Sequence, residues 1–350
     1  MTTLCALKPY FYSNERSTGA RSVSPTPTLP KSREDEWSDE VRSEFVSGGL
    51  SYFYTKSLAR LEQWWSGLKS SPTVLLQKPV IFVSGFQAPR AQFDTILGHL
   101  TSNGFNGGAP VFIKDGSFYS DEEATLPISP PSEAKVFKLV TGSVDTPVQI
   151  AEALESADAA LEQHYGCESV DIVAHSLGGL GARLFCDRGN RAGRLCLVGT
   201  PNQGSRAALL TKAALKNDIG WAATMAHVGP ASVAALEWMV PVANGNPKLD
   251  DLNGRWRTQV ENTEGMLIIA SSGLQSPHSY DVDGPGDGLI ELESTAVGEV
   301  KRHVLEGQGR KNHFTQVNDP EVFDRMREFF GWKEAALPLE AESAEKSNFR

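Results

Sequence analysis

The segment Asp171-Ile-Val-Ala-His-Ser-Leu-Gly-Gly179 carries the strongest structural signal in the chain. Its apolar part predicts a buried strand over 169–173, and the residues that follow predict a helix over 178–186, with almost no loop between them. Such an abrupt turn forces Ser176 into a strained backbone conformation that lifts its side chain out of the sheet. Only small residues fit two positions before and after it, and Ala174 and a glycine stand there.

Ser176 is therefore a candidate nucleophile. Its hydroxyl would project at a helix N-terminus, beside backbone N–H groups that have no helical partner. The alternative is a tight structural turn in which the serine is incidental. A serine hydroxyl is a poor nucleophile at neutral pH, so the catalytic hypothesis requires a base that is oriented by an acid. In this architecture the acid and then the base follow later in the chain.

Position in the chain selects His313 as the base among seven histidines. His313 lies after the last predicted strand, 302–305, and before a closing helix predicted over 320–330, and loops at strand edges commonly hold catalytic bases. His303 would lie inside that strand, and His175 is interpreted as a packing residue. The other four lie in upstream helices, in an insertion or before the predicted acid: His99, His164, His227 and His278.

The acid is expected in a turn between Ser176 and His313, at the end of a strand. Asp287 fits, because glycines flank it and an apolar pair follows it. Asp281 and Asp283 in the same loop are competitors. They also form an Asp-x-Asp-Gly sequence that is typical of calcium loops, but the rest of the twelve-residue ligand pattern is missing. The sequence thus indicates no metal site and no cofactor.

Two backbone N–H groups are expected to stabilise negative charge on a reacting carbonyl oxygen. One is the N–H of Leu177, which follows the candidate nucleophile. The other is the N–H of Phe86, in the loop after the first buried strand, 80–83. Gly85 would let this loop approach the site closely, although a simple strand-ending turn is the alternative.

The whole pattern predicts an α/β fold with a mostly parallel central sheet and helices on both faces, because strands and helices alternate over 79–335. The predicted strands are 80–83, 109–113, 134–140, 169–173, 194–198, 265–270 and 302–305. The predicted helices are 91–100, 147–164, 178–186 and 320–330.

Residues 206–264 interrupt this alternation. Nearly sixty residues of helical character separate two strands there, far more than a short connection needs. Insertions at the carboxyl edge of such sheets usually cover or shape a ligand site. We expect a helical lid whose bulky or flexible apolar side chains bind substrate, a fixed helical cap being the alternative. The candidate substrate-binding side chains are Trp221, Met225, Trp238 and Met239.

Over roughly 79–332 the chain resembles α/β-hydrolases of the lipase and esterase type. Its segment 239–253 is also similar to the lid region of bacterial triacylglycerol lipases. It departs from the family at Ser84, where histidine is usual, and at Ala174, where glycine is commoner. The motifs that carry the resemblance are Val80-Ile-Phe-Val-Ser-Gly-Phe86, Asp171-Ile-Val-Ala-His-Ser-Leu-Gly-Gly179, Val198-Gly-Thr-Pro-Asn-Gln-Gly-Ser205, Gly286-Asp-Gly-Leu-Ile290 and Asn312-His-Phe314.

The resemblance implies a serine hydrolase that cleaves carboxylic esters through an acyl-enzyme on Ser176, with acyl glycerolipids as the expected substrates. An anionic protein is not drawn to anionic lipid, which favours neutral glycerolipids or galactolipids over phospholipids. The alternatives are an acyltransferase, a phospholipid or galactolipid acyl hydrolase on the same triad, and a binding protein that uses the fold without catalysis.

Composition excludes other classes of protein. Lys and Arg total 33 against 43 Asp and Glu, which gives a net charge of −10. A protein that follows nucleic-acid phosphates needs the opposite sign, so nucleic acid is not an expected partner. Four cysteines without a Cys-x-x-Cys pair do not form a disulfide scaffold or a zinc module.

The two ends of the chain are expected to differ from its centre. Residues 1–40 have the composition of a disordered tail or a transit peptide, and 336–350 that of a flexible tail. The region 41–78 contains an amphipathic helix over 43–69, either packed on the main domain or in transient contact with a membrane surface. A cytoplasmic or plastid-like compartment is favoured, and an effector delivered to another cell also fits.

Overall fold

The computed structural model describes residues 74–102, 108–214, 232–276, 284–306 and 311–334. The tails predicted at 1–40 and 336–350, and the helix predicted at 43–69, lie outside the described residues. Among the described residues, no helix combines the length and the apolar character needed to cross a bilayer.

The described strands are short and mostly buried. They are β1 (Val74–Leu75), β2 (Val80–Val83), β3 (Val111–Lys114), β4 (Ser117–Tyr119), β5 (Val136–Leu139), β6 (Asp171–His175), β7 (Ala192–Val198), β8 (Thr263–Ser271), β9 (Leu274–Ser276), β10 (Gly284–Gly286), β11 (Arg302–Leu305) and β12 (Lys333–Glu334).

Within the described chain, eight strands form one sheet in the order β11-β8-β7-β6-β2-β5-β3-β4. All neighbours in this sheet are parallel except β3 and β4. The strands β1 and β12 form a separate antiparallel pair, as do β9 and β10. Since the carboxyl ends of parallel strands meet at one edge, the loops after β2, β6 and β11 come together there.

The described helices are α1 (Asp94–Thr101), α2 (Pro147–Tyr165), α3 (Leu177–Asp187), α4 (Arg206–Ala214), α5 (Val233–Met239), α6 (Pro247–Gly254), α7 (Trp256–Glu261) and α8 (Pro320–Phe330). The longest, α2, begins with a capping box: the side chain of Thr146 accepts from the N–H of Gln149, and the side chain of Gln149 accepts from the N–H of Thr146. Pro147 is the first residue of this helix. The helix ends at Gly166 in a left-handed conformation.

The alternating side chains of β2 show how the two faces of the sheet are covered. Ile81 and Val83 pack in a core cluster with residues of α2 and α3, whereas Val80 and Phe82 pack with residues of α1 and α8. The predicted mostly parallel sheet with helices on both faces is therefore confirmed. Within the described residues, the strands and helices predicted over 79–335 are present, with ends within three residues of those observed.

The described part of the insertion predicted at 206–264 packs on the core. Leu249 and Leu252 of α6 are buried in the same cluster as residues of α3, the helix that follows Ser176. The strand β8 begins at Thr263, so the last residues of the predicted insertion belong to the sheet. Trp221 and Met225 lie outside the described residues.

Arg183 of α3 connects α3 to the described part of the insertion. Its side chain is fully buried and donates to Gln259 Oε1 at 2.8 Å, to Asn202 Oδ1 at 2.9 Å and to the main-chain oxygen of Leu252 at 3.4 Å. Burial lowers the pKa of Arg183 to about 9, and nearby Asp187 opposes this. The buried guanidinium thus joins α6, α7 and the loop after β7 to α3.

We expect Arg183→Met to destabilise the protein by about 2 kcal/mol or more, because buried acceptors lose their donors. The matched control is Arg257→Met in α7, an exposed arginine that lies over the Trp256 ring and whose loss should cost less than about 1 kcal/mol. Urea denaturation monitored by tryptophan fluorescence measures both. Equal midpoints for the two variants would contradict this account.

Candidate active site

Ser176 occupies the turn between β6 and α3 in a backbone conformation that non-glycine residues rarely adopt. Its φ is 54° and its ψ is −129°. Its N–H donates to the main-chain oxygen of Val198 at 3.0 Å, and its carbonyl accepts from the N–H of Gly179 at 2.9 Å. These bonds hold a strained residue at the carboxyl edge of the sheet, as the sequence predicts.

Two glycines allow the chain to pass this turn closely. A Cβ on Gly178 would stand 2.5 Å from the main-chain oxygen of Ser84, and one on Gly85 would stand 2.5 Å from the Cβ of Ser176. No side chain fits either position. The loop after β2 therefore lies directly against Ser176 and the first turn of α3.

Ser176, His313 and Asp287 form one chain of hydrogen bonds. The Oγ of Ser176 lies 2.9 Å from Nε2 of His313, and Nδ1 of His313 lies 2.7 Å from Oδ2 of Asp287. A carboxylate can only accept, so Nδ1 carries the proton and Nε2 is left to accept from the hydroxyl. All three residues are buried. The three residues chosen from sequence thus meet in the geometry of a nucleophile, a base and an orienting acid.

The carboxylate of Asp287 is held by four N–H donors. The main-chain N–H groups of Leu289 and Ile290 donate to Oδ1 at 3.0 and 2.7 Å. His313 and Nε2 of Gln316, the latter at 2.8 Å, donate to Oδ2. Burial would raise the pKa of Asp287, but His313 and these main-chain donors together hold it below its ordinary value. The acid therefore stays ionised inside the protein.

Gln316 is a partner of the acid that the sequence analysis missed. Its amide is fully buried, and its Nε2 also lies 3.4 Å from the main-chain oxygen of His313. Gly199 leaves the space for it, because a Cβ there would collide with Nε2 and stand 3.1 Å from Oδ2 of Asp287. The motif that contains Gly199 was recognised, but nothing in the sequence relates it to position 316.

The N–H groups of Phe86 and Leu177 are the predicted hydrogen-bond donors to a negatively charged oxygen. Leu177 opens α3, and Phe86 follows Gly85 at the nucleophile. Within the described residues neither N–H bonds an acceptor. The loop after β2 is fixed from its far side, where the N–H of Gln87 donates to Ser143 at 2.7 Å. The two amides can thus serve as donors to an oxyanion, which stays a prediction.

A buried lysine also anchors this loop. Nζ of Lys138, in β5, donates to the main-chain oxygen of Arg90 at 2.6 Å and pairs with Glu122 at 2.7 Å. Burial raises the pKa of Glu122, against the opposing effect of Lys138. The segment that carries the predicted oxyanion donor is therefore tied to the sheet at both ends.

The other sequence candidates lie elsewhere. His303 pairs with Glu321 at 3.2 Å, on α8, and Asp281 and Asp283 lie outside the described residues. Trp238 and Met239 are buried in the core cluster, so their contact with a substrate stays a prediction. In the described part of the chain, no three His, Cys, Asp or Glu side chains are grouped to hold a metal ion.

Solved structures share this fold at low sequence identity. The mature lipase BlEst2 of Bacillus licheniformis matches with a TM-score of 0.50 and 12% identity, over 74% of this chain and 94% of that one. The lin2722 product of Listeria innocua gives 0.48 and 17%, over 75% and 96%. No family model matches the chain, and no curated protein matches it in sequence. Together with the topology, the first match confirms the α/β-hydrolase fold.

We expect Gln316→Ala and Gly199→Ala each to slow the labelling of Ser176 by a fluorophosphonate about tenfold, because both displace the same donor from Asp287. The double variant should be little slower than either single variant, since one interaction is lost. The control is Gly166→Ala, which has a similar positive φ of 65° but open space around it. It should lose stability and keep its labelling rate. Fully multiplicative effects in the double variant would show that the two positions act separately.

Proposed function

We propose that this α/β-hydrolase-fold protein hydrolyses carboxylic esters, with acyl glycerolipids as its substrates. The observation that carries the proposal is the unbroken hydrogen-bond chain from Asp287 through His313 to Ser176. The N–H groups of Phe86 and Leu177, which bond no acceptor among the described residues, support it. No other described cluster joins a nucleophile, a base and an acid in this order.

The chemistry follows from the positions of the protons. Nε2 of His313 accepts the proton as Oγ of Ser176 attacks the ester carbonyl, and the N–H groups of Phe86 and Leu177 donate to the oxygen that becomes negative. His313 then gives its proton to the leaving alcohol, and an acyl-enzyme remains. Water attacks this ester by the same route in reverse and releases the acid. Asp287 stabilises the imidazolium in both halves.

The acyl glycerolipid assignment rests on the apolar composition of the insertion and on the net charge of the protein. The insertion is rich in apolar side chains, and Trp221, Met225, Trp238 and Met239 are its proposed substrate contacts. A net charge of −10 opposes binding to anionic surfaces, so neutral glycerolipids and galactolipids are proposed before phospholipids. Contact with the lipid surface would be transient.

The triad is tested by Ser176→Ala, Asp287→Asn and His313→Ala. Each should lower kcat for ester hydrolysis by about 10⁴-fold or more in a protein that remains folded, because the three act as a unit. His303→Ala is the matched control and should keep full activity, since its described side-chain partners are Glu321 and Arg325 of α8. Hydrolysis by Ser176→Ala at the wild-type rate would overturn the proposal.

The substrate class is tested by measuring product release from monoacyl, diacyl and triacyl glycerols, galactolipids and phospholipids of increasing chain length. Neutral glycerolipids and galactolipids should be cleaved faster than anionic phospholipids. When an alcohol is added as acyl acceptor, the free fatty acid should remain the main product and the ester of the added alcohol a minor one. This comparison separates hydrolysis from acyl transfer. Cleavage confined to short water-miscible esters would remove the glycerolipid assignment and leave the esterase.

A further inference from the structure

A second histidine lies inside the site and has no part in the reaction described above. His175 is the last residue of β6, immediately before the nucleophile, and is almost completely buried. Its Nε2 lies 2.6 Å from the main-chain oxygen of His313, and its Nδ1 lies 2.8 Å from Nε2 of Gln92. The two imidazole rings stand 4.6 Å apart between centroids. The sequence analysis interpreted this residue as packing only.

The partners of His175 fix its tautomer. A main-chain carbonyl can only accept, so Nε2 of His175 carries the proton and donates to His313. Nδ1 is then an acceptor, and it receives the amide N–H of Gln92. Burial, followed by the neighbouring His313, lowers the pKa of His175 to about 3, although Asp287 opposes this. His175 therefore stays neutral, with one donor and one acceptor, at working pH.

Gln92 and Asn318 close these contacts into a ring. Gln92 belongs to the helical turn Arg90–Phe93, which continues the loop that carries Gly85 and Phe86. Its main-chain oxygen accepts from Nδ2 of Asn318 at 2.7 Å. Asn318 ends the turn Gln316–Asn318, which follows the base in the chain.

The ring connects three segments that are far apart in sequence. It runs from the end of the nucleophile strand to the main chain of the base, through the turn after the base, to the oxyanion loop and back to His175. The side chains that close it, those of Gln92, His175 and Asn318, are all buried. A change in the distance between any two of these segments would break a buried hydrogen bond, which costs free energy.

We propose that His175, Gln92 and Asn318 are positioning residues, which set the base His313 and the oxyanion loop at fixed distances from Ser176. This inference rests on the proposed function and adds to it three residues that act from outside the Ser176, His313 and Asp287 set. His175 acts on the main chain of His313 and not on its ring, so it holds the base without competing for its protons. Gln92 transmits the same constraint to the segment of Phe86.

His175→Leu should lower kcat for ester hydrolysis and the rate of fluorophosphonate labelling of Ser176 about 10- to 100-fold, with KM unchanged. The ring positions reacting groups rather than the acyl chain, and displacements of about 1 Å have effects of this size. His175→Gln should recover most of the loss, because its amide can still donate to the oxygen of His313.

Gln92→Met is the milder second variant. The Oε1 of Gln92 bonds nothing in the described residues, so this change removes only the donor to His175. It should slow labelling about tenfold. The double variant Gln92→Met with His175→Leu should be no more than about threefold slower than His175→Leu alone, since both break one ring.

His99→Leu is the matched control. His99 packs edge-on against Phe323 at 4.9 Å between ring centroids, on helix α1, one turn after Ile96, whose N–H donates to Oδ1 of Asn318 at 3.3 Å. It should shift the melting temperature and leave the labelling rate per folded molecule unchanged. Labelling is therefore measured well below the melting temperature of each variant and normalised to the folded fraction.

The outcomes separate the two proposals. A wild-type protein that is not labelled at Ser176 would overturn the proposed function. If the wild type is labelled at Ser176, and His175→Leu and Gln92→Met are labelled at the same rate, only the positioning role is overturned. If His175→Leu does not fold, Gln92→Met decides, because it leaves both histidines in place. Failure of His175→Gln to recover activity in a folded protein would also count against the ring.

Discussion

The strained backbone of Ser176 is the constraint on which the rest of the site depends. A positive φ at a residue with a Cβ costs free energy and persists only where its surroundings hold it. Here β6 is buried between β2 and β7, and the bond from Ser176 to Val198 belongs to that arrangement. The strained turn holds Ser176 at the sheet edge, where His313 bonds its hydroxyl from one loop and the loop of Gly85 and Phe86 lies against it from another. Gly85 and Gly178 are required because strand, loop and helix meet there with no room for side chains.

Much of the fold and the triad could be predicted because their signals are local or follow chain order. The apolar runs gave β2 and β11 with their correct ends, and the glycine-flanked Asp287 lies where the acid should follow a strand. The hairpin of β3 and β4 was missed although its signal was present: Asp115 and Gly116 both have positive φ, as the Asp-Gly turn of a hairpin requires. By contrast β10 reads Gly-Pro-Gly, a sequence with little tendency to form a strand, and it is extended through its pairing with β9.

The contacts that complete the site could not be predicted for a physical reason. Gln316 reaches Asp287, and Gln92 reaches His175 across more than eighty residues, through side-chain amides that have no periodicity and no motif. Which amide meets which acceptor is decided only when loops from several strands converge. The buried Lys138 is a similar case, because a lysine in an apolar strand becomes intelligible once Arg90 and Glu122 are seen beside it. A single sequence shows residue types, whereas these roles depend on partners.

The burial of Asp287 explains why its carboxylate needs several hydrogen-bond donors. Asp287 is ionised away from water, and such a charge is stable only when donors replace its hydration. Four N–H groups do so: those of Leu289 and Ile290 in the turn after Asp287, and those of His313 and Gln316 in the loop that follows β11. In a water-poor site each of these dipoles acts more strongly on the triad than it would at the surface. Gln316 therefore serves both the acid and the base, because its Nε2 contacts Oδ2 of Asp287 and the main-chain oxygen of His313, while the N–H of His313 donates to the main-chain oxygen of Asp287 at 2.8 Å.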